Sequence, residues 1–262
     1  MIRNDLHVHS IQSACGVHTI FELIEIAAIK DVQTINICDH GEASGRYIDF
    51  GVITNKNRCP RTFVSKNGKN VEVLAGIEVN ILNKKGGSDF PLKYFEMFDL
   101  VSAGFHNVKS CEFLECSAQE NTIALENYLI KYPLDILTHP CIKKFPLLND
   151  KIVSLSCRYG FALEVNNTNL YLGKTDIVGL KELITLAIKK GANLIECSDG
   201  HIFTEIGEND AINELLWEMN LDGNSIFLNR NDERFHVFIM ERKGIRLESG
   251  HWSRKVGQCD KL

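Results

Sequence analysis

The sequence has no apolar run that approaches the ~20 residues needed to cross a bilayer as a helix. Residues 1–9 also lack the basic start and long apolar stretch of a secretory signal. The glycine-rich phosphate loops GxGxxG and GxxxxGK are missing, and so is the Gly-X-Ser-X-Gly nucleophile elbow. These absences argue against a membrane partner, a nucleotide cofactor and a serine hydrolase. We therefore expect a cytoplasmic protein.

Closely spaced cysteine pairs are missing too, although the chain has nine cysteines. Cys111 and Cys116 are five residues apart and do not form a Cys-X-X-Cys pair. Others, such as Cys38 and Cys197, lie within apolar runs. An odd number of cysteines in such surroundings indicates reduced, buried thiols in a cytosolic protein.

Length and composition predict one globular domain over residues 1–262. The chain is 44% apolar and 24% charged, which is ordinary for a protein with a sizeable core. Its net charge of −5 argues mildly against general binding to nucleic acid or anionic membranes. No internal repeat or linker is visible, and the last ~15 residues are polar and expected to be loose. The oligomeric state is left open.

Apolar strand-like runs alternate with helical patterns along the chain, which predicts a parallel sheet. Seven strands are expected at Ile2–Val8, Thr34–Cys38, within Val71–Leu82, Asp99–Phe105, Ile136–Thr138, Ala162–Val165 and Asn193–Cys197. Helices are expected after a capping box at Thr19–Glu22 and at Glu120–Tyr132, Thr175–Lys190, Asn209–Met219 and Asp232–Lys243. Residues 41–70 are expected to form a long loop with at most a short helix.

Six of the nine histidines fall where these strands end. They are His7, His9, His40, His106, His139 and His201. The carboxylates Glu78 and Asp199 lie among them. In a barrel of parallel strands, all these ends lie on one face, which carries the active site. Imidazoles and carboxylates that converge suit zinc, manganese or iron, so the pattern predicts a metal site.

A single histidine on an apolar strand is more often a satisfied core residue than a ligand. Repetition in separate strands changes this balance, because burying six imidazoles and two carboxylates without a cation would require many paired hydrogen bonds or large pKa shifts. His236, in a helical pattern, and His251, in a polar tail, are not expected to be ligands.

The order of these motifs resembles the polymerase and histidinol phosphatase (PHP) superfamily, over most of the chain. The matching segments are Asp5-Leu-His-Val-His-Ser10, Ile37-Cys-Asp-His-Gly41, Gly76-Ile-Glu-Val-Asn80, Ala103-Gly-Phe-His106, Thr138-His-Pro140, Leu163-Glu-Val-Asn-Asn167 and Ser198-Asp-Gly-His201. The resemblance implies an α/β fold, a distorted seven-stranded (β/α)7 TIM-like barrel. It also implies a metal-dependent phosphoesterase, and the sequence looks especially like the YcdX-like branch, which carries three metals.

Two to three divalent ions, Zn, Mn or Fe, are implied by the resemblance. A first ion would be held by His7, His9, Glu78 and Asp199, and a second by Glu78, His106 and His139. A third would be held by His40, His201 and a residue near position 15. That position is Cys15 here, and His18 or water are alternatives to it.

The implied reaction is hydrolysis of a small-molecule phosphomonoester by a metal-bridged hydroxide, with Glu78, Asp199 and His201 as catalytic residues. Arg58 and Arg61 are candidates for binding the phosphate, because the arginine fork suits it. Asp5, Asp39 and Glu164 are candidates to orient ligating histidines, and Asn166 and Asn167 are weaker ones.

Two other functions stay open. One is a nuclease or 3′-phosphatase on nucleic-acid ends, against which the acidic charge counts. The other is a metal-bound interaction module without hydrolytic activity. Eight of the nine ligand positions are intact, and the ninth is Cys15, which can still ligate. This favours an active enzyme.

Overall fold

A single curved sheet organises the protein. The computed structural model describes residues 1–13, 15–44, 55–109, 111–113 and 116–249. Its strands are β1 Asn4–Val8, β2 Thr34–Ile37, β3 Thr62–Val64, β4 Asn70–Asn80, β5 Leu100–Gly104, β6 Ile136–Leu137, β7 Ala162–Asn166 and β8 Leu194–Cys197. They are ordered β1-β2-β4-β5-β6-β7-β8, with every neighbouring pair parallel, and β3 pairs antiparallel with β4.

The first and last strands of this order come together, so the sheet is nearly closed. Val8 and Gly200 form an isolated parallel bridge. The His9 amide donates to the Gly200 carbonyl at 2.9 Å, and the Gly200 amide donates to the His7 carbonyl at 3.2 Å. The predicted seven-stranded (β/α)7 barrel is confirmed.

Helices connect the strands. They are α1 Ile20–Ile29, α2 Ala118–Lys131, α3 Asn149–Tyr159, α4 Asn167–Tyr171, α5 Ile177–Lys190, α6 Asp210–Glu218, α7 Gly223–Ile226 and α8 Asp232–Ser249. The predicted capping box before α1 is present, with the Thr19 hydroxyl bound to the Glu22 amide and the Glu22 carboxylate bound to the Thr19 amide. No described helix is both long and apolar enough to cross a membrane.

Apolar side chains fill the lower half of the barrel, at the amino-terminal ends of the strands. Leu6, Leu74, Leu100 and Ile195 meet there, and Phe235 of α8 packs against them. Because α8 covers this end with apolar surface, the inward-facing polar residues lie at the opposite, carboxyl-terminal end of the strands.

Four elements differ from expectation. β3 lies inside the predicted loop 41–70, where it pairs Thr62 with Glu72 of β4. Helices α3, α4 and α7 were not predicted. Residues 45–54 of that loop, and residues 250–262 with His251, lie outside the described part of the chain. The single domain over residues 1–262 stays a prediction.

Candidate metal centre

The carboxyl-terminal ends of six strands bring the predicted polar residues together. His7 ends β1, and His9 follows it with its ring on the same side, because residues two apart in an extended strand face one way. The pairing of β1 with β2 shifts register between Asp5 and Val8, an irregularity of the kind that redirects side chains near active sites. His7, His9 and Glu78 are each at most 1% exposed.

Glu78 of β4 lies between two pairs of histidines. Its Oε2 is 3.2 Å from His7 Nε2 and 3.5 Å from His9 Nε2. Its Oε1 is 3.2 Å from the Nε2 atoms of both His106 and His139. One carboxylate therefore faces both pairs, with a different oxygen toward each.

The first cluster consists of His7, His9, Glu78 and Asp199. Asp199 Oδ1 is 3.3 Å from His9 Nε2 and 3.5 Å from His7 Nε2. Its other oxygen, Oδ2, accepts from the amides of Asn166 at 3.1 Å and Asn169 at 3.4 Å. Asp199 also has a positive φ of 56°, a left-handed conformation that aspartate tolerates better than most residues. The two amides fix which oxygen faces the histidines.

The second cluster consists of Glu78, His106 and His139, whose two Nε2 atoms are 3.0 Å apart. His139 has a φ of 34°, which is uncommon for a residue with a side chain. A Cβ at Gly104, the last residue of β5, would lie 2.9 Å from His139 Cε1 and 3.1 Å from His106 Cε1. The glycine therefore leaves the room that both rings occupy.

The third cluster consists of Cys15, His40 and His201, with His9 beside it, and its ligand atoms lie within 4.8 Å of one another. The Nδ1 of His201 hydrogen bonds to the Asp199 carbonyl at 2.8 Å, which leaves Nε2 for another partner. Burial opposes ionisation of the Cys15 thiol, but hydrogen bonds with His201 and His40 outweigh it and lower its pKa to about 7. His18 lies outside the cluster, because its Nε2 accepts from the Phe203 amide at 3.1 Å.

Polar residues beneath the centre hold the histidine rings in place. Glu164 Oε1 accepts from His7 Nδ1 at 2.7 Å, and its Oε2 accepts from the His139 amide at 2.5 Å. The Ser13 hydroxyl lies 3.0 Å from His9 Nδ1 and donates to Asp39 Oδ1 at 3.0 Å. The orienting roles expected of Glu164 and, through Ser13, of Asp39 are therefore present.

The residues fit divalent cations, as the unsatisfied atoms of Glu78 show. Glu78 is fully buried, and its two oxygens are approached only by histidine nitrogens, the nearest being His40 Nδ1 at 2.9 Å from Oε2. Burial opposes its ionisation, but the positive charge of His7, His106 and His40 holds its pKa well below the usual range. A buried, ionised and unbonded carboxylate is costly unless a cation compensates it. Because Nδ1 of His7 is engaged by Glu164, a neutral His7 would present its Nε2 lone pair to a cation in this space.

All nine predicted ligands converge, but Arg61, one of the two predicted phosphate-binding arginines, lies elsewhere. Arg61 donates to Glu72 at 3.0 Å and to Asp99 at 2.7 Å, at the amino-terminal end of β4 and β5. It lies there because β3 returns the chain to the start of β4. Arg58 is exposed, at the end of the 3-10 turn Lys56–Arg58.

Other expected orienting residues hold the backbone instead. Asp5 accepts from the amides of Ser198 and Gly207, at 3.1 and 2.9 Å, and so ties β1 to the end of β8. Asn167 accepts from the amides of Ala211 and Ile212 at the start of α6.

Sequence reasoning missed three residues that support the centre. Ser13 and Asn169 are described above, and Lys56 is the third. Lys56 is 3% exposed, and its Nζ lies 3.1 Å from the Ile37 carbonyl and 3.5 Å from Asp39 Oδ2. Nothing in the polar segment around Lys56 marks it as buried. Ser13 lies within three residues of a ligand motif, and this was the available signal.

Comparison with known proteins agrees with this geometry. No family model matches the chain. A probable phosphatase of Acetivibrio thermocellus is 30% identical over 242 residues, which cover 91% of this chain and 95% of the relative. The chain belongs to the PHP-like phosphatases. A second relative, a probable phosphatase of Shewanella piezotolerans, is 29% identical over 91% of this chain and 93% of its own.

The fold of this PHP-like phosphatase is shared with a solved structure. The histidinol phosphate phosphatase of Lactococcus lactis, solved with zinc, L-histidinol and phosphate, matches with a TM-score of 0.54. The match covers 84% of this chain and 94% of that one, at 14% identity. At this identity the likeness shows the barrel alone. Together with the three clusters, the relatives identify a metal-dependent phosphatase.

Proposed function

We propose that this phosphatase hydrolyses a small-molecule phosphomonoester at a centre of two to three divalent cations. The first cluster would hold one cation and the second cluster another, with Glu78 between them. Cys15, His40 and His201 would hold a third. The observation that carries the proposal is the placement of buried Glu78, whose Oε2 faces His7 and His9 and whose Oε1 faces His106 and His139. Zinc, manganese and iron all suit these donors.

When bound, such cations lower the pKa of water and stabilise the negative charge that builds up on phosphoryl oxygens. The protein supplies the fixed geometry. Glu164 keeps the proton of His7 on Nδ1, so that Nε2 faces the centre. Asn166 and Asn169 hold Asp199 through one oxygen and leave the other beside His9. No side-chain nucleophile is needed.

Asp199 and His201 differ in how they can handle a proton. Burial opposes ionisation of Asp199, but the charges of His7, His201 and His9 hold its pKa well below the usual range, so it stays ionised, as a metal ligand requires. Burial lowers the pKa of His201, but Cys15 and Asp199 outweigh it and raise that pKa to about 9. A quarter of the His201 side chain is exposed, at 25%. A proton on its Nε2 would therefore be available to the leaving oxygen whenever that nitrogen binds no cation.

The loops at the carboxyl-terminal end of the barrel would recognise the rest of the substrate. Arg58, in its exposed turn, remains our candidate for contact with phosphate. The net charge of −5 favours a small ester over nucleic-acid ends. The complete set of nine converging ligand residues favours an active enzyme over an interaction module.

The deciding experiment measures metal content and hydrolysis of an aryl phosphate for wild type and Glu78→Gln. We expect two to three metals per chain in the wild type. Because Lewis-acid stabilisation is worth several kcal/mol, activity should fall roughly a thousandfold in the variant. Glu72→Gln is the matched control, since Glu72 lies at the other end of the same strand.

The remaining outcomes separate the alternatives. Bound metal without turnover of mono- or diesters would support the interaction module. Turnover of nucleic-acid ends alone would support the nuclease or 3′-phosphatase. A wild type that binds neither zinc nor manganese would refute the metal centre.

A further inference from the structure

The third cluster differs from the other two in the chemistry of its donors. The first and second clusters present only imidazole nitrogens and carboxylate oxygens. The third adds the Cys15 sulfur to the imidazoles of His40 and His201. Within the described residues, this is the one proposed site with a sulfur donor. A soft donor among nitrogens changes which cations a site prefers.

His9 lies beside the third cluster but is engaged by the first. Its Nδ1 is 3.0 Å from the Ser13 hydroxyl. Its Nε2 is 3.0 Å from His7 Nε2 and 3.3 Å from Asp199 Oδ1. Both ring nitrogens therefore have partners outside the third cluster. Cys15 and two imidazoles remain to define the third site.

The backbone holds Cys15 in place beside these histidines. The loop that carries it is closed by the Ile11 amide, which donates to the His18 carbonyl at 2.6 Å. It is tied to the opposite segment by the Val17 amide, which donates to the His201 carbonyl at 3.2 Å. A Cβ at Gly16 would lie 2.2 Å from the Ser10 carbonyl oxygen, so the tight path after Cys15 requires glycine. The thiol is thus positioned by the fold.

We propose that the third site selects thiophilic cations, zinc above all, and discriminates against manganese, whereas the Glu78-bridged pair accepts either. This inference rests on the proposed function, because it assigns metals to the sites proposed there. Its physical basis is that thiolate favours zinc, while carboxylate and water suit manganese, and manganese stands lowest in the general order of divalent affinities. The filled centre is then mixed when both metals are present: zinc at Cys15, and zinc or manganese at the pair.

The first test uses cobalt as a spectroscopic substitute for zinc. Chelator-treated full-length protein is titrated with Co²⁺, and absorbance is followed for thiolate-to-cobalt charge transfer and for the weaker bands of cobalt bound to nitrogen and oxygen. We expect the charge-transfer band in the wild type and its loss in Cys15→Ser and Cys15→His. Cys157→Ser is the matched control, since that half-buried thiol lies on α3 and donates to the Lys190 carbonyl; it should keep the band.

The second test counts ions by equilibrium dialysis. The wild type should bind about three zinc ions but about two manganese ions per chain. Cys15→His should bind about three ions of either metal. Imidazole binds zinc, and it is a better ligand for manganese than thiolate is. Equal zinc and manganese counts in the wild type would overturn the inference.

These measurements separate failure of the inference from failure of the proposed function. Cobalt bands without thiolate charge transfer would refute the role of Cys15. They would not contradict the two metal sites proposed on either side of Glu78. No cobalt, zinc or manganese bound at any site would refute the metal centre itself, and with it the inference. A variant that fails to fold is recognised by circular dichroism, and the ion counts of the wild type still decide.

Discussion

The two ends of the barrel treat buried charge in opposite ways. At the amino-terminal end, Asp135 accepts from Arg242 of α8 at 3.0 Å and from the Val101 amide at 2.7 Å. Asp99 there is paired with Arg61 and with Lys243 of α8, at 2.7 and 2.6 Å. At the carboxyl-terminal end, the oxygens of fully buried Glu78 meet no lysine or arginine among the described residues, only histidine nitrogens.

This difference separates stability from function. At the amino-terminal (lower) end, the protein compensates its own buried charge, because each of these carboxylates meets a cationic side chain. At the carboxyl-terminal (upper) end, compensation of Glu78 requires an added cation. A barrel of parallel strands concentrates chemistry at its carboxyl-terminal face, and here that face is also the end where the folded chain is electrostatically incomplete. The predictions below test this contrast, from the largest expected effect to the smallest.

Metal removal should destabilise the upper end strongly. A ligand that binds only the folded chain contributes about 4 kcal/mol at a thousandfold excess over its Kd, and this adds for each occupied site. We expect the free energy of unfolding of wild type, measured by urea denaturation, to fall by at least this amount when zinc is chelated. Glu78→Gln should lose most of this zinc-dependent increment. An increment of the same size in wild type and Glu78→Gln would contradict the contrast.

Disruption of the lower end should affect stability but not the reaction. In Arg242→Met, buried Asp135 would lose the guanidinium that donates to it at 3.0 Å, and breaking such a buried pair typically costs about 3–5 kcal/mol. Molecules that remain folded should keep the metal content and kcat of wild type. Arg234→Met is the control, because Arg234 is an exposed residue of the same helix. A fall in kcat that matches the loss of stability would show that the two ends are not independent.

Much of the centre could be predicted because its geometry follows from topology. Parallel strands align their carboxyl-terminal ends, so His7, Glu78 and His139 were predicted to meet although they lie far apart in the chain. The roles of Glu164 and Asp39 followed from the rule that ligating histidines need a second partner.

What could not be predicted depends on contacts between distant segments. β3 is three residues long and partly exposed, and it exists because β4 extends far enough to pair with it. The same hairpin carries Arg61 to the lower end, which sequence reasoning could not foresee. Lys56 is buried by its contact with Asp39, and the composition of its segment is typical of a solvated loop.

Glu164→Gln tests whether the upper end needs its orienting carboxylate. The amide can still accept from His7 through its oxygen, but it lacks the charge that holds the His7 proton on Nδ1. Loss of such a partner typically reduces metal affinity about 10–100-fold. We expect zinc affinity, measured by competition with a chromophoric chelator, to fall within this range. Glu182→Gln, at an exposed position of α5, should bind zinc as wild type does.

Ser13→Ala should have the smallest effect of this series, because it removes one hydroxyl that links His9 to Asp39. An average hydrogen bond contributes about 1 kcal/mol to stability, and the buried partners left behind add to the loss. His9 would keep its place through Asp199, but its ring would be free to turn. We therefore expect a fall of roughly tenfold in zinc affinity, with the thiolate-to-cobalt band of Cys15 retained. Ser154→Ala, on α3, is the control. Loss of that band in Ser13→Ala would show that the Ser13 hydroxyl holds the third cluster as well as the first. The two clusters would then not be independent of each other.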